Sequence, residues 1–157
     1  MAKQAKTNAM RMLESAGLPF RCHDYGGEKL DAVTVAHVLG QDPAAVFKTL
    51  VAKGRSGAPY VFILPGEGTL NLKKAARATG EKAVEMLPQK DLLPLTGYMA
   101  GGCSPIGMKK LLPTFLDETA LLQELIFVSA GRIGSQLELK PADLMAAITL
   151  TTADLCD

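Results

Sequence analysis

The sequence predicts a mixed α/β fold, an α+β arrangement in which a curled, barrel-like mixed sheet carries helices packed on its outside. Three observations predict it. Short β-branched and apolar runs alternate with amphipathic segments, giving about six or seven strands and about five or six helices with no repeat, low-complexity tract or linker. Glycine-rich turns between some strands favour antiparallel pairs, and helices between others allow parallel ones. An apolar content of 48% over 157 residues supports one domain, residues 1–157, with a core of its own.

Each element has a local reason. Residues 1–6 lead into an amphipathic segment rather than an apolar leader. Over residues 5–16, Met10 and Leu13 form a stripe extended by Ala9 and Ala16, and Gly17 with Pro19 stops it, which predicts a helix. Residues 20–25 read as a short strand closed by Gly26 and Gly27. Asp31 caps a helix with Val33, Ala36 and Leu39 on one side and Gly40 at its end. Asp42 and Pro43 open a brief helical turn. Residues 46–52 form a strand in which Val46, Lys48, Leu50 and Ala52 share one face and Phe47, Thr49 and Val51 the other. Beyond a turn at 54–57, residues 60–64 are too apolar for a solvent-facing strand and pair with the previous one as a hairpin.

Asn71 caps a helix over 72–79, and Gly80 ends it. Residues 82–86 read as a strand and 89–93 as a short helix. A strand over 114–117, a helix over 118–125 and a strand over 126–129 follow. Residues 130–135 are a glycine-rich turn, 136–139 alternate as a strand, and Pro141 opens a helix over 142–148. From Thr151 onward the sequence carries little signal.

The net charge of +1 announces no strongly basic field, so a nucleic-acid partner must be met by local patches. Cys22, Cys103 and Cys156 are odd in number, far apart and in no CxxC pair, which argues against a disulfide framework and a zinc site and for a reducing cytoplasm. No run approaches the ~18 apolar residues of a membrane span. No metal and no cofactor are expected. The glycines match neither the dinucleotide fingerprint nor the phosphate-binding loop of nucleotide hydrolases.

Lys48 stands out as a cation on an apolar strand face. It either blunts an exposed edge strand or meets something anionic. Residues 101–107, Gly-Gly-Cys-Ser-Pro-Ile-Gly, let backbone amides approach a ligand closely, and Lys109 and Lys110 follow. Together they suggest an electrostatic site for an anionic or ester substrate, with amides and Lys48 around a developing negative charge. Lys73, Lys74 and Arg77 cluster on one helix side, either as a solvated face or as a basic contact. His37 falls mid-helix among apolar neighbours. A cysteine hydrolase using Cys103 with His23 is one rival reading, and a module that binds an aminoacylated end without turning it over is another.

Taken in order, residues 47–50, 71–76, 96–98, 101–107 with Lys109 and Lys110, and 128–139 resemble the YbaK/prolyl-tRNA synthetase-associated editing family over nearly the whole chain, most closely the free-standing cysteinyl-tRNA(Pro) deacylases. The resemblance implies a cytoplasmic aminoacyl-tRNA deacylase that clears mischarged tRNA(Pro), in transient complex with prolyl-tRNA synthetase. It also implies that Lys48 is the indispensable side chain and that Gly101 and Gly102 supply backbone contacts, with Ser104 and Pro105 of the same loop beside the substrate. Tyr25, Thr49 and Ser129 fall at pocket positions. Leu30 or Asp31 replaces a pocket phenylalanine, and Gln136 stands where some relatives carry aspartate. Lys73, Lys74, Arg77, Lys109 and Lys110 would meet the tRNA. The implied chemistry is attack by the cysteinyl substrate's own thiol, while a sibling activity hydrolyses alanyl-tRNA(Pro) with water.

Overall fold

The computed structural model describes residues 5–157, so the expectation for residues 1–4 lies outside the described residues. Helix α1 (Asn8–Ser15) begins after an extended Thr7, whose hydroxyl accepts from the Met10 amide at 3.3 Å. It buries Ala9, Met10 and Leu13, whereas Ala16 is an exposed cap. Strand β1 (Arg21–Asp24) leads to α2 (Ala32–Leu39), capped by Asp31 accepting from the Thr34 amide at 2.8 Å and ended by Gly40. The buried side of α2 is Val35 and Ala36, not Val33, because the helix packs onto Val46 and Phe127.

Strands β2 (Phe47–Gly54) and β3 (Pro59–Pro65) form the expected hairpin, with Lys48 opposite Leu64. Both faces of β3 are buried. Val61 and Ile63 pack with α1, and Phe62 and Leu64 pack with α3 (Leu72–Thr79). Each such side chain contributes roughly 1.5–3 kcal/mol on burial, so this hairpin is the mechanical centre of the molecule.

Strand β4 (Val84–Met86) pairs with residues 52–54 of β2, and α4 (Leu92–Thr96) precedes the glycine loop. Strand β5 (Thr114–Asp117) joins β3 in parallel. The helix expected over 118–125 is only a 3-10 turn, Glu118–Leu122, which starts where the Asp117 carboxylate accepts from the Thr119 amide. Strands β6 (Ile126–Ser129) and β7 (Ser135–Leu139) pair antiparallel, α5 (Pro141–Ala147) follows, and β8 (Thr151–Ala153) lies parallel to β5.

The result is a mixed α+β fold with a five-stranded sheet, β4-β2-β3-β5-β8, and a three-stranded sheet, β1-β7-β6. A parallel bridge between Val46 and Phe127 joins them at the start of β2. No ladder among the described residues closes the strands into a barrel. Around that junction, the ends of β1, β6 and β7, the start of β2 and the N-terminal end of α2 face one cleft.

Candidate active site

At Lys48, near the start of β2, the strand is laddered to β3 alone because β4 reaches only residues 52–54, yet the side chain is half-buried and lines a cleft rather than standing out as a solvated edge lysine. Its half-buried ammonium donates to the carbonyl oxygens of Gly66 at 3.3 Å and Gly68 at 2.7 Å, in the turn between β3 and α3. Hydrogen bonds to a charged group are worth about 1.5–3 kcal/mol each, enough to fix a flexible ammonium against solvent. A lysine ammonium has three N–H donors, and the turn leaves it one.

The cleft beside it holds about 400 Å³. Tyr25, Leu30, Lys48, Thr49, Gly101, Ser129 and Gln136 all line it. Ser129 and Gln136 face each other across the β6/β7 ladder, and the Ser129 hydroxyl accepts from the Gly131 amide at 3.2 Å. Of the two candidates for the aromatic position, Leu30 contributes wall, while Asp31 lies at the rim and spends its carboxylate as a helix cap. That capping hydrogen bond holds the Asp31 carboxyl below its ordinary range, and the Lys48 charge adds a little.

Among the described residues, two buried side-chain polar atoms have no hydrogen-bond partner: Thr49 Oγ1 and Gln136 Oε1. Both residues line this cleft. Buried polar atoms are nearly always paired, so two orphans in one cavity wall point to a polar ligand that completes them.

The glycine loop departs from an amide cradle. Gly101 reaches the cleft, but the Gly102 amide donates to Met99 O at 3.0 Å. A Cβ on Gly102 would stand 2.9 Å from backbone atoms of Arg132 and Ile133, so this glycine lets two turns pack backbone to backbone. Ser104 is fully buried and accepts from the Ile106 amide at 3.2 Å, and Pro105 is buried beside it. Neither lines the cleft.

The structure also adds residues. Lys29, whose stem crosses over Gly101, brings a second cation to the cleft, and Phe47 and Leu50 flank Lys48. Cys103 lines the cleft as well, and burial pushes its thiol up to about 11, so it is protonated and inert near neutrality. His23 instead bonds Glu138 Oε1 at 2.7 Å and does not line the cleft, so no Cys103–His23 dyad forms. His37 is exposed on α2.

The basic residues divide. Lys73 and Arg77 are exposed on α3, while Lys74 is tied to Asp154 at 2.9 Å and to Cys156 O at 2.6 Å. Lys109 and Lys110 lie beside α1, which packs on the opposite face of the large sheet from α3. Among the described residues no three His, Cys, Asp or Glu side chains are grouped to hold a metal, and no helix is long and apolar enough to cross a membrane.

Known proteins share the sequence pattern and the fold of this chain. Residues 28–147 match the model of the aminoacyl-tRNA editing domain. An Enterococcus faecalis protein named "Putative Cys-tRNA(Pro)/Cys-tRNA(Cys) deacylase EbsC" is 48% identical over 145 residues, covering 91% of this chain and 88% of that one. A proline–tRNA ligase of Thermosipho melanesiensis is 32% identical over 78 residues, 49% of this chain and 14% of the ligase. A crystal structure described as "a putative trans-editing enzyme for prolyl tRNA synthetase" superposes with a TM-score of 0.87 at 26% identity, covering 98% of this chain and 99% of that one. By the match over residues 28–147 and the 48% identity to that relative, the chain belongs to the aminoacyl-tRNA editing domain family.

Proposed function

We propose that the chain is a trans-editing deacylase that clears mischarged tRNA(Pro), with cysteinyl-tRNA(Pro) as its main substrate. The observation that carries this reading is the pairing, in one cleft of about 400 Å³, of a held ammonium with two unpartnered buried polar atoms. That volume suits an aminoacyl ester and part of its terminal ribose. The family membership and the 48% identical relative support the substrate class.

The reacting groups follow from what the cleft lacks. Cys103 is protonated and neither His23 nor His37 lines the cavity, so among the described residues the cleft offers no activated nucleophile of its own. A cysteinyl ester carries one. Its sulfur attacks its own carbonyl carbon, the ester C–O bond breaks, a thiolactone forms, and the thiol proton ends on the departing ribose hydroxyl. A free thiol with a pKa of ~8.5 is partly thiolate at neutral pH, so a dedicated base is not required.

The remaining N–H of Lys48 steadies the developing oxyanion or the ribose oxygen, and Gly101 allows the ester to approach the loop. Gln136 Oε1 accepts from a donor on the aminoacyl end, and Thr49 Oγ1 bonds it from the other side. Tyr25 and Leu30 close the apolar wall around the side chain, with Ser129 opposite. Lys29 and the exposed cations of α3 receive the tRNA backbone, and a prolyl-tRNA synthetase holds the rest of it in a transient complex.

Incubation with a panel of cysteinyl-, S-methylcysteinyl- and alanyl-tRNA(Pro) tests the reading. The cysteinyl ester is expected to be cleaved with thiolactone as product, the S-methyl ester to survive, and Lys48→Ala to lose about 100-fold or more in kcat. Cleavage of the S-methyl and alanyl esters would instead assign water as nucleophile. A protein that protects all three esters is a binding module, and a fully active Lys48→Ala variant removes the site assignment.

A further inference from the structure

The Lys48 ammonium is aimed by a turn that has few bonds of its own. Within residues 65–68 the Gly68 amide donates to Pro65 O at 2.9 Å, and the Gly66 amide reaches Val46 O at 2.7 Å. The outer edge of the turn is fixed from elsewhere. Leu70 and Cys156 form an antiparallel bridge, flanked by Asn71 N–H to Leu155 O at 2.8 Å and Asp157 N–H to Thr69 O at 3.1 Å. The Cys156 sulfur lies 3.0 Å from where a Cβ on Gly68 would stand, so it packs on the residue whose carbonyl receives Lys48.

Residues 154–157 are themselves well anchored. Leu155 is fully buried in the cluster around Phe62 and Phe115, and its amide donates to the Asp117 carboxylate of β5 at 3.0 Å. Lys74 Nζ binds Cys156 O and Asp154 from α3. A continuous chain of bonds thus runs from the sheet interior through these residues to the two carbonyls under Lys48.

We infer that residues 154–157 are a positioning element for the reacting centre, clamping the turn over residues 66–71 so that its carbonyls aim the Lys48 ammonium into the cleft. This rests on the reading of Lys48 as the acting cation. The physical need is plain, because a lysine head on its four-carbon stem has many rotamers and is useful in catalysis only where its acceptors are fixed. A misplacement of about 1 Å can cost on the order of 100-fold in rate. Lys74, expected from sequence to touch tRNA, acts here as part of the clamp.

The test is truncation of the full chain after Leu155, which keeps the apolar anchor and the Asp117 bond and removes Cys156 and Asp157. The expected result is a fall in kcat for cysteinyl-tRNA(Pro) of about tenfold or more, with KM changed less than about twofold. Acetic anhydride labelling followed by mass spectrometry supplies a readout that a general loss of stability would not move. Labelling of Lys48 relative to Lys53, on the same strand, should rise several-fold while far-UV circular dichroism is unchanged. Wild-type kcat in the truncated chain overturns the inference, and so does a lowered kcat with the labelling ratio unchanged. If the truncated chain does not fold, Asp157→Pro deletes only the amide that bonds Thr69 and should move kcat and the ratio the same way in smaller measure; no change in either sinks the idea. A fully active Lys48→Ala would remove the site reading itself, whereas an inactive Lys48→Ala beside a fully active truncation removes only the clamp.

Discussion

Gln136 Oε1 and Thr49 Oγ1 sit in the cleft wall with no partner among the described residues, and a buried unsatisfied polar atom costs about 1–3 kcal/mol. A folding-optimised chain would place leucine and valine there. Gln136→Leu is therefore expected to stabilise the protein by about 1 kcal/mol, raising Tm by roughly 2–4 °C for a chain of this size. The same change should raise KM for cysteinyl-tRNA(Pro) severalfold, because the ligand loses its acceptor. Thermal melts and steady-state kinetics on one preparation check both halves; a stabilised variant with unchanged KM would show that the orphan atom is not a substrate contact. Neighbouring polar groups behave differently. Asp24, paired with the Ser135 hydroxyl and more weakly with Arg132, has its carboxyl held below the ordinary range first by that hydroxyl, so it is satisfied within the fold. Position 136 was legible in sequence only through the family resemblance, since local pattern marks it simply as one residue of an alternating strand.

The glycine loop and the turn over residues 130–135 meet through Gly102, and the contact is backbone against backbone. No side-chain rotation can relieve an added methyl there. Gly102→Ala should destabilise by about 1–3 kcal/mol, seen as a lower urea midpoint at unchanged m. Gly27→Ala is the control, because a Cβ at Gly27 meets nothing within 4 Å, and it should be near neutral or slightly stabilising. Equal effects of the two substitutions would show that the turns do not pack as described.

At this scale the sequence was readable wherever the signal was local. Asn71 and Gly80 bracket α3 as expected, and the hairpin of β2 and β3 follows from two apolar runs around a glycine turn. Strand β8 was not readable, because Thr151, Thr152 and Ala153 are strand only by pairing with β5, more than thirty residues away. Lys48 announced itself as the one cation in an apolar run, whereas Thr49 was marked only by the family resemblance. Lys29 did not, since an exposed lysine in a polar loop looks the same whether or not a cleft forms beside it.

The distribution of charge over the whole molecule limits how it can hold a nucleic acid. Net charge is +1, and the cations expected to act together are separated by the large sheet, with Lys73 and Arg77 on the α3 side and Lys109 and Lys110 beside α1. A tRNA whose acceptor end enters the cleft cannot lie on both faces at once. The α3 side is favoured, because the turn that receives the Lys48 ammonium runs directly into α3 and places Lys73 in its first helical turn. With Lys29 that gives about three phosphate contacts, and each neutralised phosphate contributes about 0.7–0.9 to the slope of log affinity against log salt. The expected slope for kcat/KM in potassium chloride is therefore about 2 to 3, shallow for a protein that acts on tRNA. Reversing Lys73 and Arg77 to glutamate should raise KM about tenfold or more at low salt and flatten that slope, whereas reversing Lys109 and Lys110 should change KM less than about twofold. A titration series on the two double variants decides the matter. Equal losses would mean that the acceptor stem crosses between the faces and that the cleft is approached from the α1 side as well. The α3-specific result would leave most tRNA affinity to be supplied by a partner, as the proposed transient complex with a prolyl-tRNA synthetase requires.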